Sequence, residues 1–229
     1  MAKKFLTSLI FHPEYPIRPR ARKKMTLILD LDETLIHTTT SLRNDGLTYP
    51  DLHLEMTVKN GYLPLYVFIR PYLHTFLREV GKWYEVVLFT ASERRYAETV
   101  VSRIDTSGVI TRMFFRDSCT VEGPSHRPFY VKDLTIVRSD LSKVVIVDNS
   151  PIAYRMQPEN ALPCSTWEGD PSDTELLSLL PILSALQAST SDVRSVLSLR
   201  LTDRAGEDLG HTDHGPDQYQ VHNFGSRYQ

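Results

Sequence analysis

Three short apolar runs punctuate the chain, and each stops at a polar residue. They are Leu27-Ile28-Leu29 before Asp30, Val86-Val87-Leu88-Phe89 before Thr90, and Val144-Val145-Ile146-Val147 before Asp148. Apolar runs without polar alternation are the mark of strands buried on both faces, as in a parallel sheet. Helical periodicity separates or follows them, over residues 72–80, 92–104 and 173–186. Strands alternating with helices predict an α/β layered fold. One stretch departs from this rhythm: residues 52–58 and 63–69 flank Asn60-Gly61, a pair suited to a type I′ turn. A β-hairpin over 52–70 is therefore expected, inserted beyond the end of the first strand. Sites in open α/β sheets form at the carboxyl ends of strands, where all three runs deliver a polar residue.

The chain ends read differently. Pro13, Pro16 and Pro19 make 12–20 an extended linker inside a leader over 1–25. Beyond residue 200 hydrophobic periodicity is lost, and 201–229 reads as a mobile polar tail. Its histidines (His211, His214, His222) fit no metal-ligand spacing. Residues 26–200 remain as one domain, in keeping with 229 residues in all. A hydrophobic fraction of 41% and a charged fraction of 24% exclude a mainly disordered or fibrous chain. No apolar stretch is long enough to span a membrane, and residues 5–11 lack the cleavage site of a signal peptide. Two cysteines, Cys119 and Cys164, make no disulfide framework and point to a reducing, intracellular compartment. The net charge of −2 hides an asymmetry, because residues 1–24 carry +6 and the rest −8. Such a leader suits an anionic membrane surface. No aromatic interleaving or nucleic-acid-binding signature accompanies it, so no nucleic acid is expected as partner.

The chemistry gathers at the strand ends. Asp30-Leu31-Asp32-Glu33-Thr34 follows the first run directly, and Asp148 ends another, so three acids are expected to converge. Like charges about 4 Å apart repel by several kcal/mol at an effective dielectric near 20. Such a cluster calls for a cation or a raised pKa. Hard oxygen ligands with the amide of Asn149 beside them suit Mg²⁺. Lys132, Thr90 and Ser92 supply an ammonium and hydroxyls for a dianion, phosphate above all. A carboxylate could then attack phosphorus, and water would hydrolyse the resulting acyl phosphate.

Four motifs now stand in order: Asp30-Leu31-Asp32-Glu33-Thr34-Leu35, Phe89-Thr90-Ala91-Ser92, Tyr130-Val131-Lys132-Asp133-Leu134 and Val147-Asp148-Asn149-Ser150-Pro151. Together they resemble the FCP/SCP-type serine/threonine protein phosphatases of the haloacid dehalogenase superfamily, over about residues 26–199. Trp83-Tyr84-Glu85-Val86-Val87, Pro171-Ser172-Asp173-Thr174 and Asp192-Val193-Arg194-Ser195-Val196-Leu197 make the resemblance strongest to the Dullard-like nuclear-envelope branch. It implies a Rossmann-like parallel sheet flanked by helices, with a small hairpin insertion and no large cap domain.

The resemblance also implies roles. Asp30 is the nucleophile and a Mg²⁺ ligand. Asp32 is the general acid and then the base, with its backbone carbonyl on the metal. Thr90, Ser92 and Lys132 hold the phosphate. Asn149 ligates the metal, supported by Asp148, while Tyr96 and Arg116 lie at the substrate rim and Thr34 fixes the loop. A phosphorylated protein is the implied substrate, a lipin-like one at the nuclear envelope or endoplasmic reticulum, with a regulatory membrane subunit as a possible partner. The alternative substrate is the RNA polymerase II C-terminal repeat. In the branch acting on it, an apolar pocket receives a substrate proline, and two of its positions fall here at Thr40 and Glu93. A small-molecule phosphatase would carry a sizeable cap, which the interval from Asp32 to Glu85 does not hold. A non-catalytic binding module would have lost one of Asp30, Asp32, Lys132 or Asn149. Residues 121–129, longer than the family's usual connection, are expected to reshape the rim.

Overall fold

The computed structural model describes residues 24–42, 49–58, 61–189 and 191–198. Nearly all of the basic leader, Asn60 of the expected turn and the polar tail lie outside the described residues. In chain order the strands and α-helices are β1 (Met25–Leu29), β2 (Ile36–Thr39), β3 (Leu52–Val58), β4 (Gly61–Ile69), α1 (Leu73–Trp83), β5 (Tyr84–Phe89), α2 (Arg94–Ile104), β6 (Ile110–Phe114), β7 (Thr120–Glu122), β8 (Phe129–Val131), β9 (Val144–Asp148), β10 (Ala161–Pro163) and α3 (Glu175–Ala188).

The three apolar runs become the centre of a five-stranded sheet ordered β10-β9-β1-β5-β6, parallel throughout. Their side chains are sealed from solvent on both faces, which is why no polar residue interrupts them. Alternate residues point to opposite faces. Leu27, Leu29, Val86, Leu88, Val145 and Val147 pack in one core with the apolar faces of α1, α2 and α3. Ile28, Val87, Phe89, Val144 and Ile146 pack in a second with Leu134, Val137 and Tyr154. The Tyr84 hydroxyl donates to the Leu183 carbonyl at 2.6 Å and ties α3 to the sheet.

The insertion after β1 is a three-stranded antiparallel sheet ordered β2-β4-β3. The expected hairpin is present as β3 and β4, with Leu52 opposite Val67 and Val58 opposite Gly61, and β2 adds a strand that the sequence pattern does not announce. Helix starts fall one or two residues later than periodicity predicts. Tyr72 is left-handed, with φ 66°, and Glu93 is extended, so each stands before its helix rather than in it. The 121–129 segment lies within a second hairpin, in which β7 pairs with β8 and carries the chain back to Lys132. Among the described residues no helix is long and apolar enough to cross a membrane.

Candidate active site

Asp30 leaves β1 at the sheet's carboxyl edge, its N–H donating to Val147 O at 3.0 Å. Asp148 closes the neighbouring strand β9. Lys132 enters between them from the β8 hairpin, anchored by its own N–H on Ala153 O at 2.7 Å. Its ammonium donates to Asp30 Oδ1 and Asp148 Oδ2, both at 2.6 Å, and is only 1% exposed. Burial alone would push this ammonium down. Asp148 and Asp30 outweigh it and raise the lysine above its usual range. One ammonium is shared between two carboxylates, burial pushes the Asp148 carboxyl up to about 7 despite it, and Asp30's second oxygen accepts no hydrogen bond among the described residues.

Asp32 stands apart from this pair. Its carboxyl accepts from Ser92 Oγ at 2.6 Å and from Tyr96 Oη at 2.5 Å, and Tyr96 Oη lies 2.8 Å from Thr38 Oγ1. Burial, then the charge of Glu33, pushes the carboxyl up to about 7 against the pull of the two hydroxyls, and Asp30 adds to the rise. The loop that turns Asp32 inward is tight. Glu33 adopts φ 57°, unusual for a residue with a side chain, while Leu35 N–H reaches back to Leu31 O at 2.9 Å. Trp167 N–H on Glu33 O, at 2.8 Å, holds the bend from outside.

Asn149 is gripped at both ends of its amide. Thr34 Oγ1 donates to its Oδ1 at 3.2 Å, and its Nδ2 donates to Thr166 Oγ1 at 3.1 Å. Asp30, Asp32, Thr90, Ser92, Arg116, Lys132, Asp148 and Asn149 all line one solvent-open cleft. Tyr96, expected at the rim, instead lies buried beneath Asp32 and outside the lining. The Ser92 hydroxyl is turned to Asp32, and its N–H donates to Thr90 Oγ1 at 3.0 Å. Arg116 donates through Nε to Ala91 O at 2.7 Å and stacks over Tyr130 at 5.0 Å. The lining also includes Glu33, Tyr130, Thr166 and Glu168, which sequence reasoning left out. Thr166 and Glu168 follow β10, a strand of three residues that is too short to register as a periodic pattern.

Among the described residues no three His, Cys, Asp or Glu side chains gather into a metal cage. The oxygens at hand in the cleft lining are those of Asp30, Asp148 and Asn149. That all-oxygen set, with few carboxylates, fits Mg²⁺, which keeps several waters and is seldom caged by protein alone. It does not fit Zn²⁺, which favours nitrogen and sulfur.

A parallel sheet that presents two aspartates on the loop after its first strand, faced by a buried lysine and a second strand-end acid, defines a phosphatase domain of the haloacid dehalogenase type. Residues 25–194 match the NLI interacting factor-like phosphatase family, and the chain belongs to it. It is 46% identical over 201 residues to CTD nuclear envelope phosphatase 1 of Xenopus tropicalis, covering 81% of this chain and 79% of that protein. A probable C-terminal domain small phosphatase of Dictyostelium discoideum is 41% identical over 182 residues, covering 80% of this chain and 56% of its own. The solved structure of Fcp1, an RNA polymerase II CTD phosphatase, shares the fold at a TM-score of 0.53 and 22% identity, covering 82% of this chain and 55% of that one. The Dullard-like resemblance is thereby borne out, and the protein is a protein phosphatase, a hydrolase.

Proposed function

We propose that the protein is a Mg²⁺-dependent phosphoserine/phosphothreonine phosphatase working through an aspartyl-phosphate on Asp30. The observation that carries this reading is the different footing of two aspartates from one motif. Asp30 is held through one oxygen by the Lys132 ammonium, and its other oxygen accepts no hydrogen bond among the described residues, whereas Asp32 is pushed up to about 7 by burial and Glu33. An acid needs a proton near neutral pH, which the environment of Asp32 favours, while the lysine beside Asp30 is placed to offset charge on a group it attacks.

In the first step an Asp30 oxygen forms a bond to phosphorus as the bond to the seryl or threonyl oxygen breaks, and Asp32 gives that oxygen its proton. The hydroxyl of Ser92 rotates freely and can accept from Asp32 in that protonated state. In the second step water attacks phosphorus, Asp32 takes its proton, and the Asp30–phosphorus bond breaks to release phosphate. Lys132 offsets phosphoryl charge, while Thr90 and Arg116 face the same cleft. Asp30, Asn149 and the Asp32 carbonyl would hold Mg²⁺, with Asp148 in support, and the ion would supply charge neutralisation for the transferring group.

The substrate is a phosphoprotein, admitted because the insertion is a small sheet rather than a cap. The likeness to nuclear envelope phosphatases favours a lipin-like substrate at the nuclear envelope or endoplasmic reticulum, with the basic leader near anionic lipid and a membrane subunit as regulator. The proline-rich polymerase repeat is expected to be poor by comparison. Of the two positions where its proline would dock, Glu93 is exposed and paired with Arg116 at 3.5 Å. Covering that carboxylate costs desolvation energy.

The test is Mg²⁺-dependent hydrolysis of a phosphopeptide panel that includes lipin-derived and polymerase-repeat sequences, with Asp30→Asn as control. Loss of turnover in a folded Asp30→Asn supports the covalent route, and near-normal activity ends it. A clear preference for the repeat peptide overturns the substrate assignment.

A further inference from the structure

The most completely paired buried charge lies outside the cleft. Arg70 follows β4 and is 0% exposed, and each of its five N–H groups meets an acceptor. Nε and Nη2 fork onto Asp173 at 2.9 and 2.8 Å. Nη2 also donates to Ser165 Oγ at 2.7 Å, and Nη1 donates to Thr34 O at 3.0 Å and Ser165 O at 3.1 Å. The two backbone segments it clasps are those that hold Asn149. Thr34, whose carbonyl Arg70 takes, donates its hydroxyl to Asn149 Oδ1. Ser165, whose carbonyl Arg70 also takes, is followed by Thr166, which receives Asn149 Nδ2.

We infer that Arg70, fixed by Asp173, is a positioning residue for the cation site. It sets the spacing between the loop after β1 and the loop after β10, the two segments whose threonines hold the Asn149 side chain in place at the cleft. Lysine cannot replace this clasp, because a single ammonium does not form a planar fork across three segments.

This inference rests on the metal reading above, and its test separates the two. Mn²⁺ binding to the full chain is followed by electron paramagnetic resonance, with competition by Mg²⁺ and no substrate present. The wild type is compared with Arg70→Lys, Asp173→Asn and Thr166→Val, each checked by circular dichroism and thermal melting. Loss of partners that orient a metal ligand typically weakens binding about 10–100-fold, so an increase in Kd of about 10-fold is expected for Arg70→Lys and Thr166→Val. In turnover, the Mg²⁺ requirement should rise by a similar factor while kcat at saturating Mg²⁺ changes less. A merely structural clasp would lower the melting temperature and leave the Kd of the folded molecules alone. Should Arg70→Lys fail to fold, Asp173→Asn reads the clasp and Thr166→Val reads its arm. Wild-type affinity in all folded variants overturns this inference alone. A wild type that binds neither ion overturns both readings.

Discussion

Asp32 owes its chemistry to neighbours it meets only in the folded chain. Of the two hydroxyls on its carboxyl, Ser92 is a cleft residue but Tyr96 is buried beneath the floor. A hydrogen bond to a charged group is worth about 1.5–3 kcal/mol. Tyr96→Phe should therefore lower kcat by about 10-fold or more and leave KM nearly unchanged, because Tyr96 does not reach the substrate. Steady-state kinetics on one phosphopeptide decides this. A raised KM with intact kcat would restore Tyr96 to the substrate rim, where its family resemblance assigns it. Asp32→Asn, which removes the proposed general acid, should cost roughly 10²–10⁴-fold in kcat, measured on the same peptide.

At the scale of elements, α3 carries a contradiction in its sequence. Pro181 sits inside the helix, exposed, where it cannot donate to the preceding turn. The helix persists because Leu176, Leu179, Leu183 and Leu186 are buried against the sheet and α1, so tertiary packing outweighs local propensity. Pro181→Ala should raise stability by about 2 kcal/mol, the gain in helix propensity less the lost rigidity of the unfolded chain. Urea denaturation midpoints read this directly, and an unchanged or lower midpoint would show that the proline is accommodated without cost. The central strands are the opposite case. In β1, β5 and β9 the apolar runs agree with the fold, since positions covered on both faces admit apolar side chains, and the polar Thr26, Glu85 and Asp148 fall toward the strand ends.

For the whole molecule, the Arg70–Asp173 pair joins the insertion to the start of α3 across the sheet's carboxyl edge. The Arg70 fork holds Asp173 below the usual carboxylate range. A lowered folded-state pKa contributes stability that is present above the unfolded value near 3.9 and is lost as pH falls through the folded value. Asp173→Asn should then destabilise the protein by about 3 kcal/mol at pH 7, because a buried guanidinium loses its counter-charge. The gap from wild type should narrow below about pH 4 as Asp173 is protonated. Thermal melting across that range checks it, and a gap independent of pH would contradict the ionic account. Chelation by EDTA should likewise abolish turnover, with recovery on adding Mg²⁺ but not Zn²⁺, since the strand-end motifs offer oxygen ligands alone.

The sequence by itself determined the layered α/β class, the three central strands, the hairpin at 52–70 and the acids at the strand ends. These features are local, and burial on two faces writes itself into consecutive residues. Edge strands escaped it: β6 carries the exposed polar residues Thr111 and Arg112, and β10 is only three residues long. Neither produces an apolar run. Tertiary structure alone decided the partners, with Lys132 bridging Asp30 and Asp148, Tyr96 beneath Asp32, and Arg70 behind Asn149. The joined residues lie from 16 to 102 positions apart. Such pairings depend on strand register and side-chain rotamers, set only when the whole sheet is packed, and no spacing rule along the chain encodes them.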